Sequence, residues 1–174
     1  MRKMFLTVLT MIVQGIPASA AVLVDFEDLP NDESSKSSVD SRGFHFMADP
    51  AHLFYISASG PTGKRLITNT GTTLTITQIG GGAFQIDSLD LGGTTSVTGF
   101  LTGGGSISQT FAFDGNFNTM RTFQLMGFVG LSSAVFQQPN GGTILIDNIV
   151  VPEPGAVIVF ASAALLIGRP YCKC

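Results

Sequence analysis

Along residues 21–151 apolar and polar side chains alternate in short runs, and the runs are closed by Gly, Asn, Asp, Ser or Pro. A period of two marks a strand with one buried face, and the 3.6-residue period of a helix is nearly absent. The pattern predicts ten strands: Val22–Phe26, Gly43–Met47, Leu53–Ser57, Thr72–Ile79, Phe84–Leu91, Ser96–Leu101, Ser106–Phe113, Thr122–Phe128, Ala134–Gln137 and Thr143–Val151. Ten strands suggest two packed sheets, so the fold class is all-β, an antiparallel β-sandwich. In Thr73-Leu74-Thr75-Ile76-Thr77 the period puts Leu74 and Ile76 in the core and turns the threonines to water. Phe84 and Ile86 are out of phase with Leu89 and Leu91, which predicts a bulge or bend at Asp87-Ser88. Gly80-Gly81-Gly82, Gly92-Gly93, Gly103-Gly104-Gly105 and Gly141-Gly142 fall between strands and are read as turns, since a phosphate cradle would need a helix after the glycines. The polar, Ser-rich stretch Asn31–Ser41 is expected to be an exposed loop.

The two ends break this pattern. Arg2 and Lys3 precede the apolar run Met4–Val13, and Ala18-Ser19-Ala20 supplies small residues at the cleavage positions. That order is a secretory signal peptide over residues 1–20, with signal peptidase as the partner and Ala21 as the expected first mature residue. At the other end, Val151-Pro152-Glu153-Pro154 leads into Gly155–Gly168, which carries no charge, and Arg169 follows. The prolines hold an extended segment suited to a protease cleft, and Glu153 offers it a charge to read. The apolar stretch would act as a membrane stop, with Arg169 kept on the cytoplasmic side. As a helix it would span about 21 Å, less than the bilayer core. The organisation is therefore signal peptide 1–20, sandwich domain 21–151 and C-terminal signal 152–174.

Charge and chemistry narrow the function. The whole chain has a formal charge of −3. Without residues 1–20 and 155–174, five basic residues face twelve acidic ones, a formal charge of −7. So acidic a domain repels phosphate backbones, which argues against nucleic acid as a partner. Cys172 and Cys174 are the only cysteines and both follow the apolar stretch, so the domain folds without disulfides. His45 alternates with Phe44 and Phe46 and is expected on the opposite face, while His52 lies in a loop. Zinc lacks its usual ligands here, and no Gly-x-Ser-x-Gly elbow is present. Asp87 and Asp90 point to opposite faces of one strand and do not form a glycosidase pair. Tyr55 beside Phe54 is the one aromatic pair that looks exposed enough to stack on sugar, and the domain is read as non-enzymatic.

The end formed by Val151-Pro152-Glu153-Pro154, the apolar Gly155–Gly168 and Arg169 resembles the PEP-CTERM sorting signal of Gram-negative bacteria. That resemblance implies an exosortase-type sorting protease as partner, transient anchoring in the inner membrane, and delivery to the cell envelope or extracellular matrix. The stretches Phe84–Leu91, Val97–Leu101, Thr122–Leu125 and Ile146–Val151 resemble the sandwich domain common in such proteins. That domain is similar to the jelly-roll of galactose-binding-like and carbohydrate-binding modules, whose first and last strands pair and often hold a structural calcium. Carried onto this chain, the resemblance implies Glu27 and Asp147 as calcium ligands, Asp28 less so, and an association with exopolysaccharide. A calcium-stabilised glycan-binding module and a secreted hydrolase are the alternatives.

Overall fold

The computed structural model describes residues 21–49, 53–60, 63–113 and 119–152. The expected signal peptide, Glu153, Pro154, the apolar stretch, Arg169 and the basic tail lie outside the described residues.

The described chain is all strand, arranged as two antiparallel sheets. The first, sheet A, has the order β11 (Arg121–Gln124), β8 (Ser88–Gly92), β13 (Leu145–Pro152), β6 (Gly63–Thr68), β5 (Phe54–Gly60) and β2 (Asp32–Lys36), and β1 (Ala21–Val24) also pairs with β13. The second, sheet B, has the order β10 (Ser106–Phe111), β9 (Thr95–Leu101), β12 (Leu131–Gln137), β7 (Thr73–Gln78), β4 (Phe44–Ala48) and β3 (Ser38–Ser41). The first and last strands pair, with Ala21 opposite Pro152 and Val24 opposite Ile149. This is the expected jelly-roll-like sandwich.

One core fills the space between the sheets. Leu74 and Ile76 of β7, Phe44 and Phe46 of β4, Phe136 of β12 and Leu66 of β6 are each at most 4% exposed. Phe26 meets Phe46 edge-on, with ring centroids 5.1 Å apart. Gly99 on β9 belongs to this packing, because a Cβ there would lie 2.6 Å from Leu131 Cδ2 and 3.1 Å from Phe128 Cδ1.

The bend expected at Asp87-Ser88 is where the chain changes sheets. Phe84 bridges to Leu131 of β12, the N–H of Asp87 donates to Val150 O, and from Ser88 the chain runs in sheet A. Phe84, Ile86, Leu89 and Leu91 all reach the core by this change of phase.

Two expectations need correction. Asn31–Ser41 contains strands β2 and β3, not only loop. β2 is a polar edge strand paired with β5 at Asp32 and Lys36, and β3 has the single apolar residue Val39, so neither shows a buried face in sequence. Strand β6 was absent from the expected set because Arg65, Leu66, Ile67 and Thr68 are all buried, and a strand covered on both faces loses its alternation. The β3–β4 hairpin turns on Arg42 and Gly43 at φ of 50° and 87°, which fits the strand twist of a two-residue loop.

Candidate functional site

In sheet A the side chains that alternate with the core residues Ile56, Leu66, Ile146 and Leu91 form a polar row across the outer face. Thr122 stands opposite Asp90, Asp90 opposite Asp147, and Arg65 opposite Ser57. The β13–β6 register pairs Leu145 with Ile67 and Ile146 with Leu66, and Asp147 and Arg65 are the residues that follow in their strands' opposing directions. Five strands thus contribute one polar residue each to a single transverse line.

The line is held in place by a bulge. Between Asp147 and Val150 the β13–β8 register shifts, and Asn148 adopts φ 48°. Asparagine tolerates this left-handed region better than other non-glycine residues, and its occurrence inside a strand marks a local demand on side-chain placement. The result is that Asn148 Nδ2 donates to Asp90 Oδ2 at 2.8 Å while Thr122 Oγ1 donates to Asp90 Oδ1 at 2.5 Å. Both oxygens of Asp90 are therefore fixed. Asp147 Oδ1 accepts the N–H of Asn148 at 2.8 Å.

Access changes along the row. Thr122 and Gln124 are exposed and Asp90 and Asn148 are half-buried, whereas Ser57, Arg65 and Asp147 are 2%, 4% and 0% exposed. Arg65 Nε and Nη1 are buried and meet no hydrogen-bond partner. The adjacent outward row is apolar: Tyr55 lies opposite Ile67, Ile67 opposite Leu145, and Leu145 opposite Gly92. The solvent-accessible end of the row is formed by Thr122, Asp90 and Asn148.

Sheet B presents a different outer face. Thr98 of β9 stands opposite Ser108 on one side and Val135 on the other, and the line continues through Thr75 and Met47 to Ser38. The hydroxyls pair across β9 and β10, Ser96 with Thr110 at 2.8 Å and Thr98 with Ser108 at 2.9 Å. Over β10, β9, β12 and β7 the outward side chains carry no charge. At the β3–β4 rim of this face His45 Nδ1 and Asp40 Oδ1 lie 2.5 Å apart. His45 does oppose Phe44 and Phe46, as its alternation implies.

Of the residues expected to hold calcium, Glu27 meets Lys64. Glu27 Oε1 accepts the N–H of Lys64 at 2.7 Å, and Lys64 Nζ lies 3.9 Å from Oε2. A Cβ on Gly63, at φ 100°, would collide with that carboxylate. Asp147 Oδ1 is taken by the N–H of Asn148. Among the described residues no group of three or more His, Cys, Asp or Glu side chains could hold a metal. Calcium favours several anionic or carbonyl oxygens free of competing cations, and Glu27 is already engaged by Lys64. Asp28 accepts from Ser41 Oγ at 2.7 Å and from the N–H of Arg42 at 3.3 Å. Burial works to raise its carboxyl, but these hydrogen bonds and the Arg42 charge hold it below the ordinary value.

Of the sorting motif, Val151 is a buried partner of Val22 and Pro152 ends β13. Sequence reasoning named Asp147 but not Thr122, Asn148 or Arg65. The Asp147-Asn148 dipeptide, a turn former inside an apolar run, was the available sign of the bulge.

No protein-family model matches the chain, and no curated protein matches it. Among solved structures the chain is similar to a family 29 carbohydrate-binding module, at 13% identity and a TM-score of 0.49 over 76% of this chain and 88% of that one. It is also similar to a variant of CBM29-2 complexed with mannohexaose, at 14% identity and a TM-score of 0.49 over 76% and 91%. A variant complexed with cellulohexaose matches at 14% identity and a TM-score of 0.49 over 76% and 89%. Likeness of this degree accompanies the sandwich architecture and says nothing of a ligand for this chain.

Proposed function

We propose that this chain is an exported, non-catalytic envelope or matrix protein whose sandwich binds glycan and whose Pro-Glu-Pro segment directs its sorting. The observation that carries the glycan reading is Asp90, fixed through both oxygens by Thr122 and Asn148 at the accessible end of an outward polar row. Sugar hydroxyls are recognised by carboxylates and amides already held in position, which spares the ordering cost of binding. With the full-length chain on a panel of immobilised polysaccharides, Asp90→Ala is expected to weaken retention at least tenfold while leaving the melting temperature within a few degrees. Equal retention of the variant, or no retention of the parent on any polysaccharide, overturns the reading.

A hydrolase is the competing reading, favoured by the placement of Asp90 directly opposite Asp147. Facing cross-strand residues have Cβ atoms roughly 4.5–5.5 Å apart, close to the spacing of retaining glycosidases. Asp147 is nonetheless 0% exposed, and a nucleophile or general acid must touch its substrate. Binding is the better use of the pair.

Export rests on the residue pattern of 1–20 and sorting on that of 152–174. The strand pairing supports a common processing edge: Ala21, the expected mature start, stands opposite Pro152 at the head of the C-terminal segment. A sorting cut that preserves the domain falls after Pro152, because Val151 is buried in β13 opposite Val22 of β1. Mass spectrometry of the C-terminus from cells with and without the sorting protease tests this; an intact Cys174 in both contradicts it.

A further inference from the structure

From the outer face of sheet B we infer a second glycan surface, opposite the Asp90 row, that takes neutral polysaccharide. The inference rests on the glycan-binding reading of the chain but on different residues.

The central line of this face runs Ser108, Thr98, Val135, Thr75, Met47 and Ser38, and all of these side chains are half-buried or exposed. The neighbouring line places Thr110, Ser96, Gln137 and Thr73 in register beside it. Side chains on such a surface repeat at about 4.8 Å across strands and about 6.8 Å along them. The positions offer hydroxyls, the Gln137 carboxamide, and methyl or thioether surface. A neutral hexose polymer presents the same mixture, with hydroxyls at the ring edge and C–H groups on the ring faces, so it can exchange hydrogen bonds and bury its apolar faces at once. Phe100, 44% exposed and opposite Ser133, adds one aromatic ring at the border of the array.

Charge selects the class of polymer. The four strands β10, β9, β12 and β7 turn no charged side chain outward, so nothing here pairs with a uronate or sulfate. The domain that carries the face, residues 21–151, has a formal charge of −6, which repels an acidic polymer at long range. An uncharged face on an acidic domain is matched to an uncharged ligand. The two sheets face opposite ways, so one domain holding a polymer on each side would bridge two chains of a matrix.

The test is depletion of the full-length chain by an insoluble neutral β-glucan and by an acidic polyuronate gel at equal mass. Retention by the glucan and not by the polyuronate is expected. Thr75→Lys, which sets a charged stem at the middle of the array, should lower glucan retention at least tenfold. Thr98→Val, which keeps shape and removes one hydroxyl, should lower it several-fold, and circular dichroism should show both variants folded. Undiminished retention of folded Thr75→Lys overturns the inference, as does preference for the polyuronate. If Asp90→Ala loses retention and Thr75→Lys does not, the second surface fails and the Asp90 reading stands. If no polysaccharide retains the parent, both fail. Sedimentation completes the set: a dimer that Thr75→Lys dissociates would assign the face to a second copy of this chain and overturn the glycan assignment.

Discussion

At Asn148 a single residue helps to decide where the Asp90 side chain sits. Its φ of 48° lets the strand bulge, and its amide then ties Asp90 of the neighbouring strand. Asn148→Gly keeps the left-handed backbone and deletes that hydrogen bond, so stability should change by about 1 kcal/mol or less while glycan affinity falls. Denaturant melts paired with polysaccharide retention separate the two effects; equal losses in both would make Asn148 a folding residue only. Asp28 gives the complementary case, a carboxylate that serves the fold. Its pKa is lowered, so its contribution to stability is present above the ordinary carboxylate value and is lost as pH falls through the lowered one. Melting temperature followed below about pH 4 should drop less steeply in Asp28→Asn than in the parent. Glu27 is engaged by Lys64, so melts with calcium and with chelator are expected to coincide; a difference of several degrees would show that the ion binds the native chain.

Among the elements, those with one wet face were legible and those without were not. β7 announces itself as Thr73-Leu74-Thr75-Ile76-Thr77, and the structure buries Leu74 and Ile76 as that alternation requires. Leu74→Ala is accordingly expected to cost about 2–5 kcal/mol, read from chemical denaturation. β6 is buried on both faces and β2 is polar on both, so neither carries a period for the eye to find. The same limit hid the candidate site. Thr122, Asp90, Asp147 and Arg65 come from four strands, and only the pairing register, which depends on turns and bulges rather than composition, brings them into line. The crossing at Asp87-Ser88 was legible because the phase of the apolar residues breaks there. Exchange of the β1 amides measures how firmly the first strand closes on β13: Val22→Ser, which removes a core-side contact with Val151, should speed exchange in β1 more than in β9.

For the molecule as a whole, the sandwich separates three tasks. Its interior supplies a core that contains no cysteine, its two outer faces carry different chemistry, and the edge where Ala21 meets Pro152 gathers the two expected processing points. An acidic domain with these faces suits an uncharged extracellular polymer better than a phosphate backbone. The most direct check is fractionation of the producing cells, with mass spectrometry of the chain in each fraction. The account predicts a chain beginning at Ala21, held in the extracellular polysaccharide fraction and released when that polysaccharide is digested, with Asp90→Ala shifting it to the free supernatant. A chain still beginning at Met1 inside the cell, or a secreted chain indifferent to polysaccharide digestion, would contradict it.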